Sequence, residues 1–224
     1  MARASNITLL RCATKHMMIV VLGGIVGACA ATVPIRVLPK GETHVVASVG
    51  GPIVPDKTPT VVVPYATAGV VYGATNDVTV HGMAHITMAM FGVAGVDVGA
   101  STRLMKHDAW QPEATVALRA MMMTDFGGWS TTRLWPTISA TCSWLDGAVV
   151  PYVGSHVTFE LTNGKPLVSP NVGVQIELSN DWWLQVEGIW QAANANTRSG
   201  VLEGQSSIGD RGSLGMFIAA RMRL

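Results

Sequence analysis

The sequence predicts an all-β chain: an antiparallel up-and-down transmembrane β-barrel of about 10 strands, with 8 the other count the pattern allows, behind an N-terminal signal peptide. Three observations predict it. Apolar and polar residues alternate with a period of two over runs of about ten residues, the length of a tilted strand across a bilayer. Hydrophobic residues make up 49% of the chain, yet no long apolar run follows the N-terminal one, which excludes a helical bundle. From Val78 onward, the charged residues inside the expected strands all share the polar parity.

Residues 1–28 read as the signal peptide. Arg3, Arg11 and Lys15 precede an apolar core from Met17 to Ala28. Residues 29–42, with Pro34, Pro39 and Gly41, read as a periplasmic tether, and residues 43–224 as the barrel. A first strand is expected at about His44 to Gly50, followed by a Gly/Pro-rich loop to Pro59 and a strand over Val61 to Gly73. The clearest stretch is Val78 to Leu104, read as one hairpin. Val78, Val80, Ile86, Met88 and Met90 oppose Thr79, His81, His85 and Thr87, and beyond Phe91-Gly92 Val96 and Val98 oppose Asp97 and Gly99.

Further strands are expected at Glu113–Met123, Thr132–Trp144, Val149–Leu161, Asn171–Leu178 and Trp182–Ala192, with a last one ending at Leu224. Gly127 and Gly128 mark a loop over 124–131, and Ala193 to Arg211 is the longest polar loop. Pro136 and Pro151 are expected to mark bulges. The Met121-Met122-Met123 run is expected to pack against both lipid and lumen.

The charges carry the architectural argument. Asp97, Arg103, Glu113, Arg119, Arg133, Glu160, Glu177, Glu187, Arg221 and Arg223 all lie on the polar parity. An Arg on a lipid face near the midplane costs roughly 2–4 kcal/mol, which purges that face of charge. Together with His81, His85 and His156, these residues are the expected lumen network. Tyr72, Trp144, Trp182 and Trp190 sit near strand ends on the apolar parity, where interfacial aromatic girdles lie.

No metal site and no cofactor are called for. His81 and His85 share a face, but on a strand they stand about 13 Å apart and cannot converge on one ion. Net charge is +1, so nothing points to nucleic acid. Ser, His and Glu are present without an ordered triad signature, so no catalytic residue is assigned and no enzymatic role is expected. Of the three cysteines, Cys142 reads as a small apolar side chain.

Two resemblances add to this reading. Val26-Gly27-Ala28-Cys29 resembles the lipobox of bacterial lipoproteins, which implies diacylation at Cys29. Ala28-Cys29-Ala30 also fits ordinary signal cleavage, and the uncharged run from Met17 to Val33 leaves a retained anchor open. Tyr72-Gly73-Ala74-Thr75-Asn76-Asp77-Val78 is similar to a hairpin common in small bacterial outer-membrane β-barrel proteins. The strand from Gly212 is similar to their terminal strand, closing on Leu224 where Phe or Trp is usual.

This resemblance implies the bacterial outer membrane as location. Its lipid and, during biogenesis, the barrel-assembly machinery are the implied partners. A structural, surface-binding or narrow-pore role follows, with the solute or envelope partner left open. The alternatives are a soluble lipid-anchored periplasmic barrel holding an apolar ligand, or a barrel enzyme acting on envelope lipid with a Ser–His contact at one rim.

Overall fold

The structure is a computed structural model that describes residues 34–54, 61–62, 65–161, 164–196 and 211–224. The signal peptide, Cys29 and most of the polar 193–211 loop lie outside the described residues. The strands are β1 (Thr43–Val54), the two-residue β2 (Val61–Val62), β3 (Tyr65–Gly73), β4 (Val78–His85), β5 (Val93–Met105), β6 (Glu113–Asp125), β7 (Gly128–Ser143), β8 (Val149–Glu160), β9 (Lys165–Ser179), β10 (Trp182–Asn196) and β11 (Arg211–Arg223). One short helix, α1 (Ile86–Met90), lies between β4 and β5.

From β3 to β11 each strand pairs antiparallel with the next, and β1 pairs with both β3 and β11. The β1–β11 seam runs from His44↔Arg223 to Pro52↔Gly215 and closes a ten-stranded barrel, with β2 outside it on the end of β1. Closure satisfies the backbone that an open edge would leave unpaired, which in hydrocarbon is a condition for existing at all. The start of β1 and the end of β11 mark what is called here the near end of the barrel. The opposite rim, with α1 and the β6–β7 turn, is the far end.

The two faces separate as the alternation requires. Asp97 is fully buried inside, whereas its neighbour Val98 is 53% exposed outside. The same holds around the barrel: Val49, Val70, Leu118, Ile138, Val153 and Val172 face outward, while Ser48, Thr67, Ser139, His156, Asn171 and Gln185 face inward and are buried. No helix among the described residues is long and apolar enough to cross a membrane; β1 and β5–β11, at 12–16 residues, are long enough for strands to do so.

Several elements differ from the sequence expectation. The strand expected to carry Ile86, Met88 and Met90 stops at His85, because Ile86–Met90 coils into α1 and turns Met88 inward. The residues are good helix formers apart from Ile86 and Thr87, and Gly92 at φ 79° ends the turn. The expected 124–131 loop is only a two-residue connection, Phe126–Gly127, where the Asp125 carboxylate accepts from the Gly127 N–H at 2.9 Å. The Gly-Gly-Pro segment read as loop belongs to β1, and β9 begins at Lys165 rather than Asn171. Pro136 and Pro151 sit in continuous register opposite Ala120 and Val174; the register shifts lie elsewhere, as between Gln191 and Asn196.

A charge placed on the outward face near mid-strand tests the assignment of faces. Val98→Arg is expected to lower folding into liposomes by about 2–4 kcal/mol. The folded fraction, read from the mobility shift of unheated samples on a gel, checks this. Folding equal to wild type would mean that this face does not meet lipid.

Candidate functional site

The lumen is the candidate site, and it is filled in three tiers. At the far end, Tyr65, Met88, Met121, Met123, Trp135, Ile189 and Phe217 form one buried apolar cluster. Met121, Met123, Trp135, Ile189 and Phe217 sit on the inward parity that is polar elsewhere. Met122 alone of the methionine run points outward.

The central tier is polar. Arg119 on β6 donates to Asp97 on β5, and the His81 imidazole stands 3.7 Å from the same carboxylate. Both members of the ion pair are buried, so each is the other's main compensation for lost water. His85 hydrogen-bonds the Tyr65 hydroxyl, and Ser139 hydrogen-bonds His156 Nδ1 at 2.7 Å. Beside them Glu187 Oε2 accepts from Tyr152 at 2.9 Å and from Asn171 at 2.8 Å, while Gln185 donates to the Tyr152 hydroxyl at 2.9 Å.

Inward-facing glycines make room for these side chains. A Cβ on Gly99 would lie 2.6 Å from the His81 ring, and one on Gly173 would overlap the Tyr152 phenol.

The near tier is a segment of chain. Residues 34–41, part of the 29–42 segment read as a periplasmic tether, are packed across the near mouth with Ile35, Val37 and Leu38 buried. The Leu38 N–H donates to Thr79 Oγ1 at 2.7 Å, and the Ile35 carbonyl accepts from Thr115 at 3.1 Å. Arg36 reaches the β7–β8 turn, donating to Ser143 at 3.0 Å and to Asp146 at 2.7 Å. Ile35 packs on Val150 and Tyr152; Leu38 packs with Val46, Val71, Met83 and Ala219. These contacts span strands on several sides of the barrel, so the segment forms a stopper. A Pro-containing stretch read in isolation gives no sign of that.

The expected network therefore divides. His81, His85, Asp97, Arg119, His156 and Glu187 lie in the lumen interior. Arg103 and Glu113 form a rim pair at the near end, 3.6 Å apart, with Asp77 3.5 Å from Arg103. Arg223 bonds Asp181 at 3.0 Å, and Arg221 stacks over Trp183 at 4.9 Å. Glu177 is exposed at the near end and Arg133 is exposed toward the far end, beyond the reach of the central tier; Glu160 lies at the far rim opposite Lys165. His44, stacked on Trp183 at 5.0 Å, Tyr152, Asn171 and Gln185 belong to the lumen and were not singled out from the sequence. Their signal was present, since each lies on the inward parity.

Tyr72 and Trp182 project outward at the near end with Trp144 just beyond β7, and Trp110 is 94% exposed in the adjoining loop. Trp190 lies toward the far end and donates to the Arg211 carbonyl at 3.0 Å. Cys142 is a free thiol on the outward parity.

Among the described residues no cluster of three or more His, Cys, Asp or Glu could hold a metal. The Ser139–His156 contact is enclosed in the lumen, not at a rim. Beyond its contact with Ser139, His156 has no partner at Nε2 among the described residues.

No family model and no curated protein matches the chain. Several solved structures do. An outer membrane channel from Pseudomonas putida F1 is similar over 87% of this chain and 100% of its own, at 9% identity and TM-score 0.46. The translocator domain of the autotransporter NalP from Neisseria meningitidis matches over 96% of this chain and 98% of its own, at 10% identity and TM-score 0.43. A de novo designed transmembrane β-barrel matches over 84% of this chain and 100% of its own, at 10% identity and TM-score 0.36.

The central ion pair yields a double-mutant test. Asp97→Asn strands Arg119 without a counter-charge and is expected to destabilise the barrel by about 3–5 kcal/mol. Asp97→Asn combined with Arg119→Met is expected to regain most of that loss. Urea titration in liposomes measures both; additive losses would show that the two side chains are not coupled.

Proposed function

We propose that this protein is an outer-membrane β-barrel with a closed lumen, serving a structural or surface-binding role through its rims and wall. The carrying observation is that the lumen is occupied along its length, by the apolar far cluster, the polar centre and the Pro34–Gly41 segment. A lumen so filled offers no continuous water path, unlike that of larger barrels that conduct. An apolar outer wall with aromatic residues toward both ends supports membrane insertion, and the buried polar interior disfavours a soluble barrel with an apolar ligand inside.

In this reading the near end, with its short 74–77 and 180–181 connections, faces the periplasm. The far rim then faces outward and presents Met90, Phe91 and Phe126, all exposed, on two adjoining turns joined by the Phe126 N–H to Gly92 carbonyl bond at 3.0 Å. That apolar crest favours the surface-binding reading. Its partner would be apolar too, whether lipid or protein.

Planar-bilayer recording tests the closed lumen directly. Wild-type barrel is expected to give no stepwise conductance, and a persistent conductance would rule the reading out. Deleting residues 34–38 is expected to leave the bilayer silent as well, because the far cluster still blocks the path.

Lipidation at Cys29 belongs to the same proposal. Pro34 at the near mouth is five residues from Cys29, a reach of at most about 18 Å of extended chain, enough to meet the nearby leaflet. Intact mass of the mature protein is expected to show a chain starting at Cys29 with acyl groups added. A lipid-free chain starting at Ala31 would remove lipidation and leave the barrel untouched.

A further inference from the structure

Beneath the near segment lies a small cavity of about 20 Å³, lined by Ile35, Ser101, Thr141, His156, Asn171 and Glu187 among others. Such a volume holds one or two water-sized guests. Four of its lining residues present a buried polar atom with no hydrogen-bond partner among the described residues: Ser101 Oγ, His156 Nε2, Asn171 Oδ1 and Glu187 Oε1. All four side chains belong to residues more than nine-tenths buried. Leaving this many buried polar atoms unsatisfied at one spot is costly, so the cavity is built around a guest.

The chemistry of the open atoms narrows what that guest is. Three of the four are oxygens, and two of those are acceptors only, a carboxylate and an amide carbonyl. Further oxygens converge close by. A Cβ on Gly154 would clash, at 2.7 Å from the Ala140 carbonyl, 2.8 Å from Asn171 Oδ1 and 3.1 Å from Thr141 Oγ1, so glycine there lets these oxygens crowd together.

Charge points the same way. Glu187 makes no ion pair among the described residues, and Arg119 is already committed to Asp97. Glu187 Oε1 is therefore a carboxylate oxygen with neither an ion-pair nor a hydrogen-bond partner among the described residues.

We infer that this cavity is a binding site for a small monovalent cation of the sodium or potassium class, held by Glu187 Oε1, Asn171 Oδ1 and Ser101 Oγ. Hard oxygen donors, one of them a carboxylate with no ion pair among the described residues, suit such an ion. Divalent ions, which take six or more oxygens and usually more than one carboxylate, are poorly matched. The cation takes oxygens from β5, β9 and β10, and so ties the two sides of the central tier together.

The test is unfolding of the purified, folded barrel in detergent at fixed ionic strength, with sodium chloride or potassium chloride replaced stepwise by choline chloride. Choline is too large for the cavity. The expected result is a saturable rise of the urea midpoint with sodium or potassium, absent in Glu187→Gln. Ser101→Ala, which removes one oxygen, is expected to raise the half-saturating cation concentration by about tenfold; it carries the test if Glu187→Gln fails to fold.

Equal midpoints in sodium, potassium and choline would overturn the inference, leaving water or a protonated Glu187 as the content of the cavity. A cation dependence retained in Glu187→Gln, or an unchanged half-saturating concentration in Ser101→Ala, would overturn it too, since the effect would then arise elsewhere. A crystal soaked in thallium(I) gives the direct view: an anomalous peak beside Glu187 supports the site, and its absence from a lattice otherwise exchanged overturns it.

Discussion

The seam between β1 and β11 is the constraint on which the rest depends. Until those strands pair from His44↔Arg223 to Pro52↔Gly215, two edges stay open, and in a bilayer each unpaired backbone group would cost several kcal/mol. Close approach at the seam depends on glycine. A Cβ on Gly50 would collide with the Phe217 ring and the backbone of β11, and Gly51 adopts φ 153°, a conformation that side chains rarely take. The Gly-Gly-Pro sequence that resembles loop punctuation is thus where the barrel closes.

Closure then fixes how much interior there is to fill. A ten-stranded lumen is too wide to be filled by Ser and Thr, so large side chains come in pairs with glycine: Phe217 opposite Gly50, His81 opposite Gly99, Tyr152 opposite Gly173. The near mouth is filled instead by chain, because residues 34–38 bring three buried apolar side chains and two backbone hydrogen bonds with them. Gly73 takes part here as well. Its N–H donates to the Glu42 carbonyl and its own carbonyl accepts from Gly41, holding the segment against the rim.

The sequence carried the strand faces and little of what fills the lumen. Alternation is a local property of one strand, so the inward placement of Asp97, Arg119, His156 and Glu187 could be read directly. Which of them meet could not, because that depends on cross-strand register: Asp97 lies beside Arg119 only once β5 and β6 pair Asp97↔Met121 and Gly99↔Arg119. The expected network was for the same reason too broad. Arg133 and Glu177 share the parity but sit toward strand ends, and height along the barrel is not written in parity. The apolar far tier left a visible trace that a two-letter reading passed over. Met121, Met123, Trp135, Ile189 and Phe217 break the polar parity at similar height in strands that run in alternate directions. The 34–41 segment left none, since its contacts are all with residues distant in sequence.

A barrel apolar on both faces would not specify which face meets lipid. In the far half β6 approaches that state, with Met121 and Met123 inside and Leu118 and Met122 on the outward side. A shift of one residue there would exchange one apolar set for another at little cost. In the near half the same shift would turn Glu113, Thr115 and Arg119 onto the outward face, and in a bilayer the arginine alone would cost roughly 2–4 kcal/mol near the midplane. Buried ion pairs contribute little net stability against an apolar substitute, but in a bilayer the alternative for each charge would be hydrocarbon rather than water. The charged half of the strand therefore sets the facing of the apolar half. This division lets the far tier pack as a sealed core without losing register, while the polar centre keeps the faces distinct.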